Sequence, residues 1–185
     1  MARAKQTTYQ IAQILSIITS PVTMVGLMIA GVCYKYEISI TTFLFTLIPF
    51  FSFILAYFVY KVLIKKDSDL DLTKLKTRRY FGIFAFIGFS FSYVLAKQYL
   101  PQLDLLFVRA GIIILISGII TTRWKISFHS IGYTSFCCTY VMLFGICSYW
   151  LFLLLPVVYC IRLLLKKHTL AQLIAGSVLS LIILL

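Results

Sequence analysis

Charge is what this sequence has least of. Only 12% of its 185 residues are charged and 62% are hydrophobic, whereas an ordinary soluble domain carries about 25% charged residues. A chain so poor in charge cannot hide its apolar surface in one aqueous core, which excludes a soluble globular fold. Cys-x-x-Cys pairs are also missing. Cys33, Cys137, Cys138, Cys147 and Cys160 all lie in or beside apolar stretches and read as small buried hydrophobes rather than metal ligands or a disulfide framework. No small-x-small cleavage site follows the first apolar run, Ile11 to Cys33, and that run is longer than a signal h-region, although Arg3 and Lys5 precede it. Long linkers, low-complexity tracts and detectable repeats are lacking too, so residues 1–185 are expected to form a single membrane-embedded domain.

What is present is a succession of apolar stretches, each near the ~20 residues that a helix needs to cross a bilayer. They fall at 11–33, 40–64, 80–97, 103–121, 130–147, 149–163 and 169–185. The expected fold is all-α, a polytopic membrane bundle of about seven transmembrane helices, the first bent by Pro21. Residues 130–163 form one long apolar stretch in which Gly145, Cys147 and Ser148 supply the turn; without that turn the count is six. Seven spans gather the basic residues, all but Lys35, Lys97 and Arg109, onto the face that carries the N-terminus. The positive-inside rule then puts the N-terminus in the cytoplasm of a multi-pass protein of the cell (plasma) membrane. The net charge of +12 does not point to nucleic acid, because the cations sit between apolar spans instead of forming a basic face.

The polar residues concentrate in three loops of that face. Both histidines are there, each with a cation and hydroxyls nearby: Lys125-Ile-Ser-Phe-His129-Ser130 and Arg162-x5-His168-Thr169. The third cluster runs from Asp67 through Lys74 and Lys76 to Arg78 and Arg79. Lysine and arginine donors around two imidazoles suit an oxyanion with more than one negative charge, and phosphate is the commonest such group in a membrane. One imidazole can attack phosphorus while the other protonates the leaving alkoxide, with the cations stabilising the equatorial oxygens. The plainer alternative is that these side chains anchor helix ends to lipid headgroups.

The spacing of these residues resembles the type 2 phosphatidic acid phosphatase superfamily. Arg162-x5-His168-x3-Gln172 is similar to its third signature, Ser-Arg-x5-His-x3-Asp. Ile126-Ser127-Phe128-His129 is similar to its second, Pro-Ser-Gly-His, and Arg79-Tyr80 stands in the Arg-Pro place of its first, Lys-x6-Arg-Pro, with Lys74 or Lys76 for the lysine. The resemblance covers about residues 65 to 180, in the family's order. It implies a nucleophile at His168 that becomes phosphohistidine and a general acid at His129. Arg162, Arg79 and Lys74 would grip the phosphate, Ser127 would donate to it, and Lys125 would add a neighbouring cation. No metal or other cofactor is implied. The partner would be a phosphorylated membrane lipid in the surrounding bilayer: phosphatidate, phosphatidylglycerol phosphate or a polyprenyl pyrophosphate. The departures are Gln172 for the family's Asp, Ile126 for Pro and Phe128 for Gly. A comparable carboxylate-to-amide change in a hydrolase triad lowers turnover by about 10⁴. The expectation is therefore a membrane lipid phosphate phosphatase. The alternatives are a non-catalytic relative that binds or transports phospholipid and a phosphotransferase with an acceptor other than water. Resemblance to bacterial members suggests the outer face for the site, against the charge bias.

Helix geometry adds two expectations. Residues six apart point in different directions on a continuous helix, so Arg162 and His168 can address one phosphate only if the chain breaks between them, at Lys166-Lys167. Thr169-Leu-Ala-Gln172 fits a capping box at the start of the last helix, and Gln172, one turn from His168, can orient the imidazole as well. Asp67, Asp69 and Asp71 alternate in a way that could hold magnesium, yet no supporting motif follows, so they read as loop solvation. Arg109, five residues after Asp104, reads as an interhelical or snorkelling cation, and Trp124, Trp150, Tyr93 and Tyr99 as interface anchors.

Overall fold

A computed structural model describes residues 2–64 and 75–185. Among them every regular element is helical: α1 (Ala2–Ile18), α2 (Pro21–Tyr36), α3 (Ile40–Val59), α4 (Leu75–Tyr99), α5 (Asp104–Thr121), α6 (Phe128–Phe144), α7 (Leu155–Leu164) and α8 (Leu170–Leu184). A π turn, Tyr60–Ile64, continues α3, and 3₁₀ segments Pro101–Leu103 and Ile146–Leu154 lead into α5 and α7. Among the described residues five stretches are long and apolar enough to cross a membrane: Tyr9–Tyr36, Ile40–Leu63, Thr77–Tyr99, Pro101–Thr121 and Ile146–Leu164. At 17 residues α6 is shorter, and α8 is a 15-residue apolar helix.

The expected bend at Pro21 is a full interruption. Thr19 and Ser20 leave the helix, and Ser20, at φ −67° and ψ 152°, caps α2 by accepting from the Thr23 amide at 3.2 Å. Proline at the first helical position suits this restart, because its missing N–H falls where no intrahelical partner exists. The apolar stretch 130–163 is likewise not one helix: α6 stops at Phe144, and Gly145 takes φ +77°, a left-handed conformation that glycine adopts without Cβ strain.

The chain forms two compact units. One is Ile38–Lys125 and the other combines Met1–Glu37 with Ile126–Leu185. In the first, α3, α4 and α5 run antiparallel. Tyr57 donates to the Thr77 carbonyl at 2.7 Å and Ser92 accepts from the Phe50 amide at 3.0 Å across α3 and α4. Tyr93 donates to Asp104 at 2.9 Å across α4 and α5.

In the second unit α2, α6 and α8 run parallel. Along α2 and α6, Pro21 lies on Gly132 and Gly31 on Tyr140, with Tyr140 donating to the Leu27 carbonyl at 3.0 Å. Along α6 and α8, Thr134 donates to Ser177 at 2.9 Å and Ser135 to Ser180 at 3.1 Å. Hydroxyl pairs of this kind between apolar helices contribute roughly 0.6 kcal/mol each. The small side chains that supply them also let the backbones approach closely. A Cβ on Gly176 would lie 2.5 Å from Ser130 Oγ and 2.8 Å from the Ser127 carbonyl. Gly176→Ala is therefore expected to lower stability by about 1–3 kcal/mol, as overpacking does, although alanine is the better helix former by about 1 kcal/mol. An SDS unfolding titration reads the sign, and a gain in stability would mean that α8 does not pack on α6 here.

Candidate functional site

The parallel course of α2, α6 and α8 puts their three N-termini at one end of the second unit, and α7, which packs antiparallel to them, brings its C-terminus there. Tyr159 on α7 donates to Ser177 at 2.6 Å, and Tyr133 on α6 to the Leu151 carbonyl at 2.9 Å, which fixes that direction. Positive dipole ends from three helices thus face the same region as the C-terminal residues of α7, an arrangement that favours an anion. His129 is the second residue of α6, Arg162 lies in the last turn of α7, and His168 immediately precedes the Thr169 cap of α8.

Between Arg162 and His168 the chain reverses through a Schellman motif. The Lys167 amide donates to the Arg162 carbonyl at 3.1 Å and the Lys166 amide to that of Leu163 at 2.9 Å, while Lys166 sits at φ +51°. These are the 6→1 and 5→2 bonds of that helix ending, which usually places glycine at the left-handed position. The break falls at the lysine pair where the spacing required it. Lys166→Gly is expected to stabilise the protein by about 0.5–1 kcal/mol by removing the Cβ strain of the left-handed residue. SDS or thermal unfolding measures it, and a loss of stability would show that the lysine side chain contributes more than its backbone costs.

Past the break, Gln172 does two things with one atom. Its Oε1 accepts from the Thr169 amide at 3.1 Å, and Thr169 Oγ1 accepts from the Gln172 amide at 3.4 Å, closing the capping box. The same Oε1 lies 3.1 Å from His168 Nδ1. A backbone N–H can only donate, so the atom it meets is the amide oxygen, and that fixes the orientation of the amide. The oxygen in turn requires a proton on His168 Nδ1, which leaves the lone pair of the neutral ring on Nε2. His168 itself is only 8% exposed.

The second imidazole is set by Arg162. The guanidinium, 8% exposed, directs Nη1 to His129 Nε2 at 3.4 Å and to Ser16 Oγ on α1 at 2.7 Å. Arginine carries donors only, so Nε2 of His129 is the accepting nitrogen and Nδ1 carries the proton. The two histidine segments are joined directly: the Ser127 amide donates to the Gln172 carbonyl at 3.3 Å, above the close approach of Gly176 to Ser127 and Ser130. The structure therefore brings His129, Arg162, His168 and Gln172 to one end of one unit.

The other expected site residues are placed differently. Ser127 caps α6, its Oγ accepting from the Ser130 amide at 3.4 Å, and it is fully buried. Arg79 is exposed in the α3–α5 unit, where its Nη2 donates to the Thr122 carbonyl at 3.2 Å. Lys125 is the last residue of that unit. Lys74 and the acidic trio Asp67, Asp69 and Asp71 lie outside the described residues. Among those that are described, no group of three or more His, Cys, Asp or Glu side chains is arranged to hold a metal ion. The participant that sequence reasoning missed is Ser16. A lone serine inside an apolar run carries no local signal, because its meaning comes from a partner 146 residues away.

Compared with protein-family models, curated protein sequences and solved structures, the chain finds no match in any of the three.

Proposed function

We propose that the protein is a multi-pass membrane lipid phosphate phosphatase of seven crossings that works through a phosphohistidine at His168. The observation that carries this reading is the pairing of Arg162 Nη1 with His129 Nε2 at 3.4 Å, on a segment bonded to the Gln172 turn that orients His168. In seven crossings α2, α6 and α8 fall in the first, fifth and seventh spans, which all cross in the same direction. That agrees with the parallel course of α2 and α6. The basic loops then lie with the N-terminus in the cytoplasm of a plasma-membrane protein.

The chemistry follows from the two tautomers. His168 Nε2, with its lone pair, attacks the phosphorus of a phosphomonoester or pyrophosphate; an N–P bond forms as the P–O bond to the lipid alkoxide or phosphate breaks. The leaving oxygen takes a proton from His129, which must first be protonated on Nε2. The incoming phosphate assists that step, because its oxygens accept the Arg162 N–H that otherwise points at Nε2. Water then attacks the phosphohistidine with His129 taking its proton, and inorganic phosphate leaves. Helix N-termini and the guanidinium stabilise the equatorial oxygens throughout.

A second reading, a phosphorylated-lipid binder without turnover, is favoured by one specific feature: the group behind His168 is an amide, which orients the ring but carries no charge to stabilise it when cationic. Purified protein in mixed micelles with phosphatidate, phosphatidylglycerol phosphate and a polyprenyl pyrophosphate separates the readings. Phosphate release supports the hydrolase, lipid binding without release supports the binder, and phosphoryl transfer to an added alcohol in place of water identifies a phosphotransferase.

A further inference from the structure

We propose that Ser16 is a positioning residue for the phosphate-binding arginine, so that the N-terminal helix α1 is an integral wall of the site. This rests on the phosphatase reading of Arg162. None of the motifs that the sequence shares with the phosphatase superfamily reaches α1, and the inference comes from the contacts alone.

Arg162 is 8% exposed and its Nη1 stands between two acceptors, Ser16 Oγ at 2.7 Å and His129 Nε2 at 3.4 Å. The shorter bond is to the serine, and the histidine meets the same nitrogen at longer range. α1 is held in place for this role by packing one turn away, where Ala12 is buried with Ile161 and Leu165 of the α7 end. Ile161 and Leu165 flank Arg162, so the same turn of α7 is gripped by an apolar contact and by a hydrogen bond to a charged donor. A long arginine side chain has many rotamers to lose when it orders around a ligand. Holding Nη1 in advance lowers that cost and keeps the fork aimed at the position where the phosphate oxygens will be.

Because the chain has only two histidines, imidazole-labelled protein gives a two-residue NMR spectrum that reports on the clamp without any turnover. In Ser16→Ala the His129 ring signals are expected to move while those of His168 stay, with Ser16→Thr returning them close to their wild-type positions. The affinity for orthovanadate, a phosphate and transition-state mimic, is expected to fall about tenfold, the factor that one charge-assisted hydrogen bond supplies. The same loss is expected in kcat/KM, carried mainly by KM. In an Arg162→Ala background, Ser16→Ala is expected to add less than a further twofold. Unmoved His129 signals, unchanged vanadate affinity, or additive losses in the double variant would each overturn the proposal. If the wild type releases no phosphate from any lipid, yet Ser16→Ala moves His129 and not His168, the clamp stands and the hydrolase reading falls.

Discussion

Replacing His168 with alanine is expected to remove lipid-phosphate hydrolysis, by at least about 10³-fold, while leaving the protein folded. The magnitude follows from the proposed role: without the imidazole no phosphohistidine would form, and what survived would be the stabilisation that cations and helix ends provide, a small residue of the original rate. The fold is expected to persist because the capping box of α8 uses Thr169 and Gln172, and the Schellman turn uses backbone groups of residues 162 to 167. Loss of the imidazole removes none of these capping and turn bonds. Phosphate release from micellar phosphatidate, measured beside a ³²P-labelling trap of the acid-labile phosphoenzyme, checks both parts. Retained turnover in His168→Ala would end the proposed mechanism, whatever the substrate.

Gln172→Glu is expected to act in the opposite direction. Glutamate keeps the reach of glutamine, so its carboxylate can accept from the Thr169 amide and His168 Nδ1 where Oε1 now does, and Glu is as good a capping-box residue as Gln. What changes is the charge behind the imidazole, which stabilises the ring as it turns cationic on attacking phosphorus. Turnover should rise by about 10–10³-fold, a part of the roughly 10⁴ that a carboxylate-to-amide change removes in the serine hydrolase triad. The shorter Asp would have to move the helix end to make the same contact, so Gln172→Asp is expected to gain less. Equal rates for wild type and Gln172→Glu would mean that the ring does not become cationic in the slow step. A wild type and a Gln172→Glu variant that both lack turnover would favour the binding reading.

The parts of this structure that could be read in the sequence are those governed by neighbouring residues. The stop at Gly145, the reversal at Lys166 and the Thr169–Gln172 box follow from local backbone rules. They appear where glycine, a required change of direction, and a Thr-x-x-Gln spacing put them. The interruption at Thr19 and Ser20 was legible only as a bend, because a proline announces a disturbance but not whether the preceding serine will take over as a cap. The helix count was harder. α6 carries Ser130, Thr134, Ser135 and Thr139 and is short for a crossing, and its hydroxyls have meaning only against α8 and α2, which no one-dimensional reading pairs. Ser127 was expected to donate to a phosphate, and in the structure its Oγ also accepts from the Ser130 amide as the α6 cap. The same hydroxyl satisfies either description until the helix start is located. Ser16 was invisible for the reason already given, since nothing near it in sequence asks for a partner.

The chain's path through its two units has a consequence for biosynthesis. The unit that holds Arg162, His129 and Ser16 is built from segments on either side of Ile38–Lys125, all of which is made in between. A nascent chain released from the ribosome in order must therefore keep α1 and α2 waiting in the bilayer until α6 through α8 emerge, and only then can the serine meet the arginine. Closing so long a loop is slow, so the site matures only after the whole α3–α5 unit has been made.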